Sequence, residues 1–140
     1  MTRVLMDTSA LFKRYNEERG SERVRVVGTL AHTMVVAAHC KAEIASAINR
    51  QRHDGLVPSE DYLRIMAEVH RDFGSFDRIE LDRRVESLAI AAMERGRLRA
   101  MDALHIATAQ AAGVDLFVTA DRRQANAAEA AGLRTELIEV

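Results

Sequence analysis

Short apolar runs alternate with longer amphipathic or alanine-rich stretches along this chain. That alternation is typical of parallel strands joined by helices, because strands buried on both faces are apolar throughout while the connecting helices bury only one face. The pattern predicts strands at 2–6, 33–37, 78–81, 115–119 and 135–140. It predicts helices at 9–16, 22–30, 39–52, 58–73, 82–95, 100–112 and 122–130.

This order of elements predicts a three-layer α/β/α sandwich around a central, mainly parallel sheet. Ligands of such sheets bind beyond the carboxyl ends of the strands. Glycines support the predicted boundaries, since a turn is expected around Gly20 and helix ends are expected at Gly55, Gly96, Gly113 and Gly132.

Length and composition narrow the class of protein. At 140 residues, with 48% apolar and 29% charged residues, the chain is expected to form one domain, residues 1–140. The first ten residues lack the apolar core of a signal peptide, and no run of about 18 apolar residues occurs, so we expect a cytoplasmic protein. The single cysteine, Cys40, has no partner for an internal disulfide and lies in no zinc-binding pattern. Any bound metal is therefore expected to have oxygen ligands.

Two aspartates stand at the ends of predicted strands. Asp7 directly follows the first strand and Asp121 follows the strand at 115–119, so both are expected in the crevice at the edge of the sheet. Either residue could instead simply cap the helix that follows it. Asp102 lies in the first turn of a helix that is apolar on nearly every side, where an acid also suits the helix dipole. Glu43 borders the apolar stripe of the helix at 39–52.

Convergence of these four acids would create a metal site. Crowded carboxylates repel one another and raise each other's pKa, whereas Mg²⁺ and Mn²⁺ prefer oxygen ligands and remove that repulsion. Such ions can activate water for phosphodiester hydrolysis and stabilise the leaving oxygen. Thr8, Ser9 and Thr119 are close enough in sequence to orient metal-bound water.

Other chemistries find less support. The five histidines form no HExxH motif, and His105 is interpreted as a packed, hydrogen-bonded side chain. No GxSxG, P-loop or GxGxxG motif occurs. The net charge of −1 neither indicates nor excludes a nucleic-acid partner. Aromatic residues make up only 4%, so base stacking is expected to contribute little to specificity. Six arginines near the acids could follow phosphates or form a solvated face: Arg14, Arg95, Arg97, Arg99, Arg122 and Arg123.

Four short motifs resemble those of the PIN-domain ribonucleases, and within them the VapC toxins of bacterial toxin–antitoxin pairs. They are MDTSAL at 6–11, AEIASA at 42–47, LRAMDALHIA at 98–107 and VTAD at 118–121. The resemblance covers essentially the whole chain and implies a PIN-like fold and an RNA-cleaving, Mg²⁺- or Mn²⁺-dependent toxin. It further implies a homodimer and a cognate antitoxin that inserts a segment into the active site. By motif match, it assigns the catalytic and metal-ligand roles to Asp7, Glu43, Asp102 and Asp121, and a supporting role to Thr119.

Several alternatives remain at this point. A PIN-fold nuclease could act in RNA processing without an antitoxin, and a catalytically silent binding module is also possible. A phosphoacceptor receiver domain would need paired acids after the first strand and a lysine near the last strand, and this chain has no lysine after Lys41. A haloacid-type phosphatase would need an aspartate where Ser9 stands.

Overall fold

The computed structural model describes residues 2–138. The strands are β1 Arg3–Met6, β2 Thr33–Ala37, β3 Asp77–Ile79, β4 Leu116–Thr119 and β5 Thr135–Leu137. The α-helices are α1 Thr8–Leu11, α2 Ser21–Leu30, α3 Cys40–His53, α4 Ser59–Ser75, α5 Arg83–Arg95, α6 Ala100–Ala112 and α7 Arg122–Ala130. One turn of 3₁₀ helix, Phe12–Arg14, follows α1. No helix within the described residues is long and apolar enough to cross a membrane.

The five strands form one parallel sheet in the order β3-β2-β1-β4-β5. The chain builds outwards from β1 through β2 to β3, then returns to place β4 on the other side of β1. The strand order therefore reverses between β1 and β4, where Met6 pairs with Val118. A crevice at such a reversal, outside the carboxyl ends of the strands, is the usual ligand site of an open α/β sheet.

The sheet separates two apolar cores, because successive side chains of a strand point to opposite faces. Val4 and Met6 of β1 and Val118 of β4 face α1, α2, α3 and α4. Leu5 and Phe117 face α5, α6 and α7 on the other side. The predicted three-layer α/β/α sandwich is confirmed.

Most predicted boundaries agree with the structure to within one or two residues. The helices predicted at 100–112 and 122–130 have those bounds, and α6 ends at Gly113, whose φ of 62° favours glycine. The predicted helix at 9–16 was wrong in detail. It starts at Thr8, ends at Leu11 and tightens into the 3₁₀ turn, where the Tyr15 N–H bonds to the Phe12 carbonyl.

Two strand predictions also differ from the structure. The strand predicted at 78–81 lies at Asp77–Ile79, where it pairs with Val35–Ala37 of β2. It does not extend to 81, because the Asp82 N–H bonds to the Glu80 carbonyl in a tight turn. Asp82 then caps α5 by accepting a hydrogen bond from the Val85 N–H. The last strand, predicted at 135–140, spans Thr135–Leu137, and residues 139–140 lie outside the described residues.

Candidate active site

Asp7 occupies the centre of the crevice between β1 and β4. Its carboxylate is only 3% exposed and caps α1 by accepting a hydrogen bond from the Ala10 N–H. Ser9 donates to Oδ1 at 2.7 Å, and Thr119 of β4 donates to Oδ2 at 2.6 Å. Asp7 is thus held by α1 on one side and by β4 on the other.

Ser9 and Thr119 extend this network to the start of α7. The Ser9 Oγ accepts from the Ala120 N–H at 2.9 Å, and the Thr119 Oγ1 accepts from the Asp121 N–H at 3.1 Å. Both hydroxyls therefore connect Asp7 to the backbone that precedes Asp121. Their predicted role, to orient metal-bound water, stays a prediction.

Glu43 enters the crevice from the first turn of α3, and its Oε1 atom makes three polar contacts. Thr8 donates to Oε1 at 2.5 Å, His105 Nε2 lies 2.9 Å away and His39 Nε2 lies 3.4 Å away. Carboxylate oxygens only accept, so the His105 ring N–H is the donor. With Oε1 occupied in this way, Oε2 is the oxygen of Glu43 that is free to bind a ligand.

The two histidines act as donors in this arrangement. His105 is 2% exposed, and its Nδ1 has no hydrogen-bond partner within the described residues, so the ring proton belongs on Nε2. His39 Nε2 lies 3.0 Å from the Met101 carbonyl, to which it donates. One potential ligand atom from each of His39, Glu43 and His105 lies within 4.8 Å of the other two, as in a metal-binding group. They could bind a metal only after both Nε2 atoms gave up their protons, so we interpret the group as one that orients Glu43.

Asp102 and Asp121 border a polar cleft of about 630 Å³ beside the crevice. Asp102 is half-buried at the start of α6, and its carboxylate makes no hydrogen bond within residues 2–138, so it does not cap that helix. Asp121 is exposed and caps α7, accepting from the Arg123 and Gln124 N–H groups. The Gln124 side chain is 1% exposed and donates to the Asp102 carbonyl at 2.9 Å, which ties α7 to α6.

The acids influence one another electrostatically. Burial raises the pKa of Asp102, and the charges of Asp7, Asp121 and Glu43 raise it further, although His105 lowers it. Burial also raises the pKa of Asp7 against the opposing effects of His105 and the hydrogen bonds from Thr119 and Ser9. Burial would raise the pKa of Glu43 as well, but the hydrogen bonds from His105 and Thr8 lower it overall. The crevice thus concentrates negative charge that a cation would relieve.

The donor set fits a hard divalent cation. The four acids supply oxygen atoms only, and no three of them bring their carboxylates within 4.8 Å of one another in the described part of the chain. An ion bound here would keep several waters and take one or two carboxylates at a time, which is the usual coordination of Mg²⁺ in proteins.

Sequence reasoning found the four acids but missed several of their partners. His39 lies four residues before Glu43 on one helical face, a spacing that could have suggested the contact. His105 is packed and hydrogen-bonded, as interpreted. The prediction that placed Arg14 beside the acids was wrong, because its Nε donates to Asp72 of α4 at 2.7 Å.

A family model described as the PIN domain matches residues 4–130 of this chain, and all four acids lie within that range. The chain belongs to the PIN-domain family. This PIN-domain chain is 31% identical over 135 residues to Ribonuclease VapC46 of Mycobacterium tuberculosis, with 95% of both chains covered.

Two solved structures share the PIN fold. One is the crystal structure of M. tuberculosis VapC20, described as a sarcin–ricin loop cleaving toxin, with a TM-score of 0.69 and 16% identity over 93% of this chain and 95% of that one. The other is a toxin–antitoxin complex from Klebsiella pneumoniae, with a TM-score of 0.65 and 15% identity over 86% of this chain and 88% of that one. At these identities the likeness concerns the fold, and the match to VapC46 makes the chain VapC-like.

Proposed function

We propose that residues 1–140 form a single endoribonuclease domain that is the toxin of a toxin–antitoxin pair and depends on Mg²⁺ or Mn²⁺. The observation that carries the proposal is the half-buried carboxyl of Asp102, which lies with Asp121 in one cleft and has no hydrogen-bond partner within residues 2–138. Burial raises its pKa, and the charges of Asp7, Asp121 and Glu43 raise it further, in a chain of the PIN family. Four acids from four separate segments thus act on one crevice. The ribonuclease name of VapC46 supports RNA as the substrate.

A bound Mg²⁺ or Mn²⁺ would lower the pKa of a water and neutralise charge on the phosphate. Asp7, Asp102, Asp121 and the free Oε2 of Glu43 are the atoms proposed to hold it. Asp7 is oriented by Ser9 and Thr119, which accept backbone N–H groups and therefore direct their own protons to its carboxylate.

The remaining residues of the network orient Glu43. His105, Thr8 and His39 hold its Oε1, whereas Oε2 makes no hydrogen bond within residues 2–138. Burial of Asp7 and His105 keeps water away from the inner side of the site. The proposed task of the protein side chains is to hold the cation and the scissile phosphate in one geometry.

Asparagine substitutions at Asp121 and Asp7 test whether these acids bind metal or only cap the helices that follow them. Asparagine caps helices about as well as aspartate but lacks the charge that binds Mg²⁺. Asp121→Asn and Asp7→Asn are therefore expected to remain folded and to lose RNA cleavage. Full cleavage by both folded variants would show that these acids only cap α7 and α1.

Incubation of the purified protein with total cellular RNA tests the activity directly. Cleavage is expected with Mg²⁺ or Mn²⁺ and is expected to stop with EDTA, and the mapped 5′ and 3′ ends would define the target. Full activity in excess EDTA would contradict the proposed mechanism. Absence of cleavage by the folded, metal-loaded protein on every RNA would instead favour a binding module.

The toxin role is tested in cells. Induced expression is expected to stop growth, and co-expression of a small protein encoded beside the gene is expected to restore it. The Asp121→Asn variant is the matched control and is expected to be harmless. Harmless expression of the wild type, together with cleavage in vitro, would favour an RNA-processing nuclease without an antitoxin.

A further inference from the structure

Two adjoining clefts lead away from the carboxylates. The polar cleft beside Asp102 and Asp121 has a volume of about 630 Å³, and a neighbouring cleft of about 220 Å³ lies between the end of α5 and α7. The two share Leu98, Arg123 and Asn126, so they lie side by side along one surface path. Five arginines line it, and we call them the arginine channel: Arg95, Arg97, Arg99, Arg122 and Arg123.

The five guanidinium groups have no charge partner in the part of the chain that the structure describes. Within residues 2–138 none of them makes a hydrogen bond or an ion pair, whereas Arg14 is paired with Asp72 and Arg23 with Glu136 elsewhere in the molecule. All five residues are exposed. Guanidinium groups that converge on one channel repel one another unless an anion lies between them, and their planar donors match phosphate oxygens.

One helix start adds to the positive potential of the channel. α6 begins beside it after Arg99, with no side-chain cap on its first N–H groups, whereas the start of α7 is capped by the carboxylate of Asp121. The N-terminus of a helix attracts anions, and phosphate in particular. The channel is thus acidic at the Asp102 and Asp121 end and basic along the rest of its length.

The lining also indicates which part of a nucleic acid would occupy the channel. Apart from the arginines and the two acids it contains Leu98, Gln124, Asn126, glycine and alanine, and no aromatic side chain. Single-stranded RNA bound by stacking would need aromatic residues. Arginine contacts to the sugar–phosphate backbone need none, and they carry no base specificity.

We propose that the arginine channel binds the backbone phosphates of single-stranded RNA on one side of the scissile bond. The inference rests on the proposed ribonuclease function and assigns the path of its substrate. The RNA leaves the carboxylates between the α5–α6 connection and the start of α7. The enzyme therefore needs several nucleotides on that side of the cut, whatever their bases.

The double variant Arg97→Gln/Arg123→Gln tests this path with RNA oligonucleotides built around a mapped cleavage site. For the wild type, lengthening the RNA on one side of the cut is expected to lower KM several-fold, and lengthening it on the other side is expected to have little effect. For the double variant, lengthening the RNA on that same side is expected to leave KM unchanged. The loss should lie in KM, since the proposed contacts are to phosphates away from the scissile bond.

The salt dependence of binding gives a second readout that needs no cleavage. Fluorescence anisotropy of a labelled single-stranded RNA is measured between about 50 and 200 mM KCl. Each lost phosphate contact reduces the slope of log K against log salt by about 0.7, so the double variant is expected to lose about 1.4 from the wild-type slope.

Arg134→Gln is the matched control. Arg134 is exposed, makes no side-chain hydrogen bond or ion pair within the described residues and precedes β5, so it lies at the opposite edge of the sheet from the acids. This variant is expected to keep the wild-type KM and salt slope. An equal effect of Arg134→Gln would show only a loss of general charge attraction and would overturn the assigned path.

The remaining outcomes separate this inference from the proposed function. Suppose that the wild type cleaves RNA and that the double variant keeps both the wild-type salt slope and the lower KM for the extended RNA. That result would overturn the assigned path, but it would not contradict the ribonuclease function. Failure of the wild type to cleave any RNA would refute the function, while the anisotropy measurement would still decide whether the channel binds RNA. Binding of poly-L-glutamate that is lost in the variant, with RNA binding unchanged, would assign the channel to an acidic protein segment instead.

Discussion

His105 Nε2 lies 2.9 Å from Oε1 of Glu43, and this hydrogen bond joins α6 to α3 across the candidate active site. The His105 donor is 2% exposed, whereas the Glu43 side chain is 30% exposed. A buried ring therefore holds one oxygen of a carboxylate whose other oxygen makes no hydrogen bond within residues 2–138. In metal sites, residues that orient a ligand in this way contribute strongly to metal affinity.

Substitution of His105 is expected to weaken metal binding without removing a proposed ligand. His105→Leu fills similar space but cannot donate a hydrogen bond, so we expect a loss of about 10- to 100-fold in Mn²⁺ affinity or cleavage rate. His105→Gln keeps an N–H donor at a similar reach and is expected to recover much of the loss. Titration of Mn²⁺ against cleavage rate measures both variants, and thermal unfolding checks that they are folded. A folded leucine variant with wild-type Mn²⁺ dependence would show that the bond has no positioning role.

Removal of the Asp102 carboxylate distinguishes two roles for this residue: a carboxylate repelled by the neighbouring acids, and an acid that stabilises the start of α6. A helix-terminal acid contributes about 0.5–1 kcal/mol through the helix dipole, and Asp102→Ala would lose it with or without metal. Loss of a repelled carboxylate instead stabilises the metal-free protein, so we expect Asp102→Ala to be at least as stable as the wild type in EDTA. At a hundredfold excess over Kd, Mg²⁺ is expected to stabilise the wild type by about 2.7 kcal/mol and the variant far less.

Urea unfolding of both proteins, with EDTA and with Mg²⁺, makes that comparison. Asp115→Ala is a useful control, because Asp115 lies before β4 at the opposite edge of the sheet, where it accepts a hydrogen bond from the Arg3 N–H. Its stability change is expected to be the same in both solutions. Equal destabilisation of Asp102→Ala in both, with cleavage retained, would refute its role as a metal ligand.

Cys40 is expected to be unreactive in the folded protein. Burial raises the pKa of its thiol to about 12, so almost no thiolate exists near neutral pH, and the side chain is fully buried. Iodoacetamide at pH 8 should therefore modify the native protein at a small fraction of the rate seen in guanidinium chloride. Mass spectrometry over time measures both rates. Rapid modification of the native protein would show that the N-terminus of α3 opens readily.

Tyr15 and Asp72 connect the 3₁₀ turn to α4. The Tyr15 hydroxyl donates to Asp72 Oδ2 at 2.8 Å, and both groups are buried. Tyr15→Phe is expected to reduce the free energy of unfolding by about 1.5–3 kcal/mol, because it removes a hydrogen bond to a charged group. Tyr62→Phe is the control, since Tyr62 is partly exposed and its hydroxyl only accepts from Asn49. Urea unfolding that ranks the two variants equally would contradict the importance of the Asp72 contact.

The sequence predicted the fold well where local signals were strong. α7 begins at the N-cap Asp121, and α6 ends at Gly113, so both helices had the predicted bounds. Asp7 and Asp121 were assigned to one crevice because both follow parallel strands, and β1 and β4 are indeed neighbours. These inferences needed only the periodicity of apolar and polar residues and the rule that parallel strands end at the same edge of a sheet.

The contacts of the site depend on distances that the sequence does not contain. The His105–Glu43 bond spans 62 residues, and the pairing of Arg14 with Asp72 spans 58. Arg14 looked like a neighbour of the acids because it follows Asp7 closely in the chain, but the 3₁₀ turn directs it to α4. Long-range side-chain pairs of this kind are set by the packing of whole helices, which periodicity alone does not determine.

The hydrogen bond from Thr119 to Asp7 joins residues that are 112 positions apart. During synthesis, Asp7 is made long before β4, and its carboxylate is held in place only after β4 has been translated and has paired with β1. A nascent chain that stops short of Thr119 therefore contains no complete crevice. Any activity that depends on this crevice is delayed until β4 has been made, so the order of the strands sets when the site is assembled.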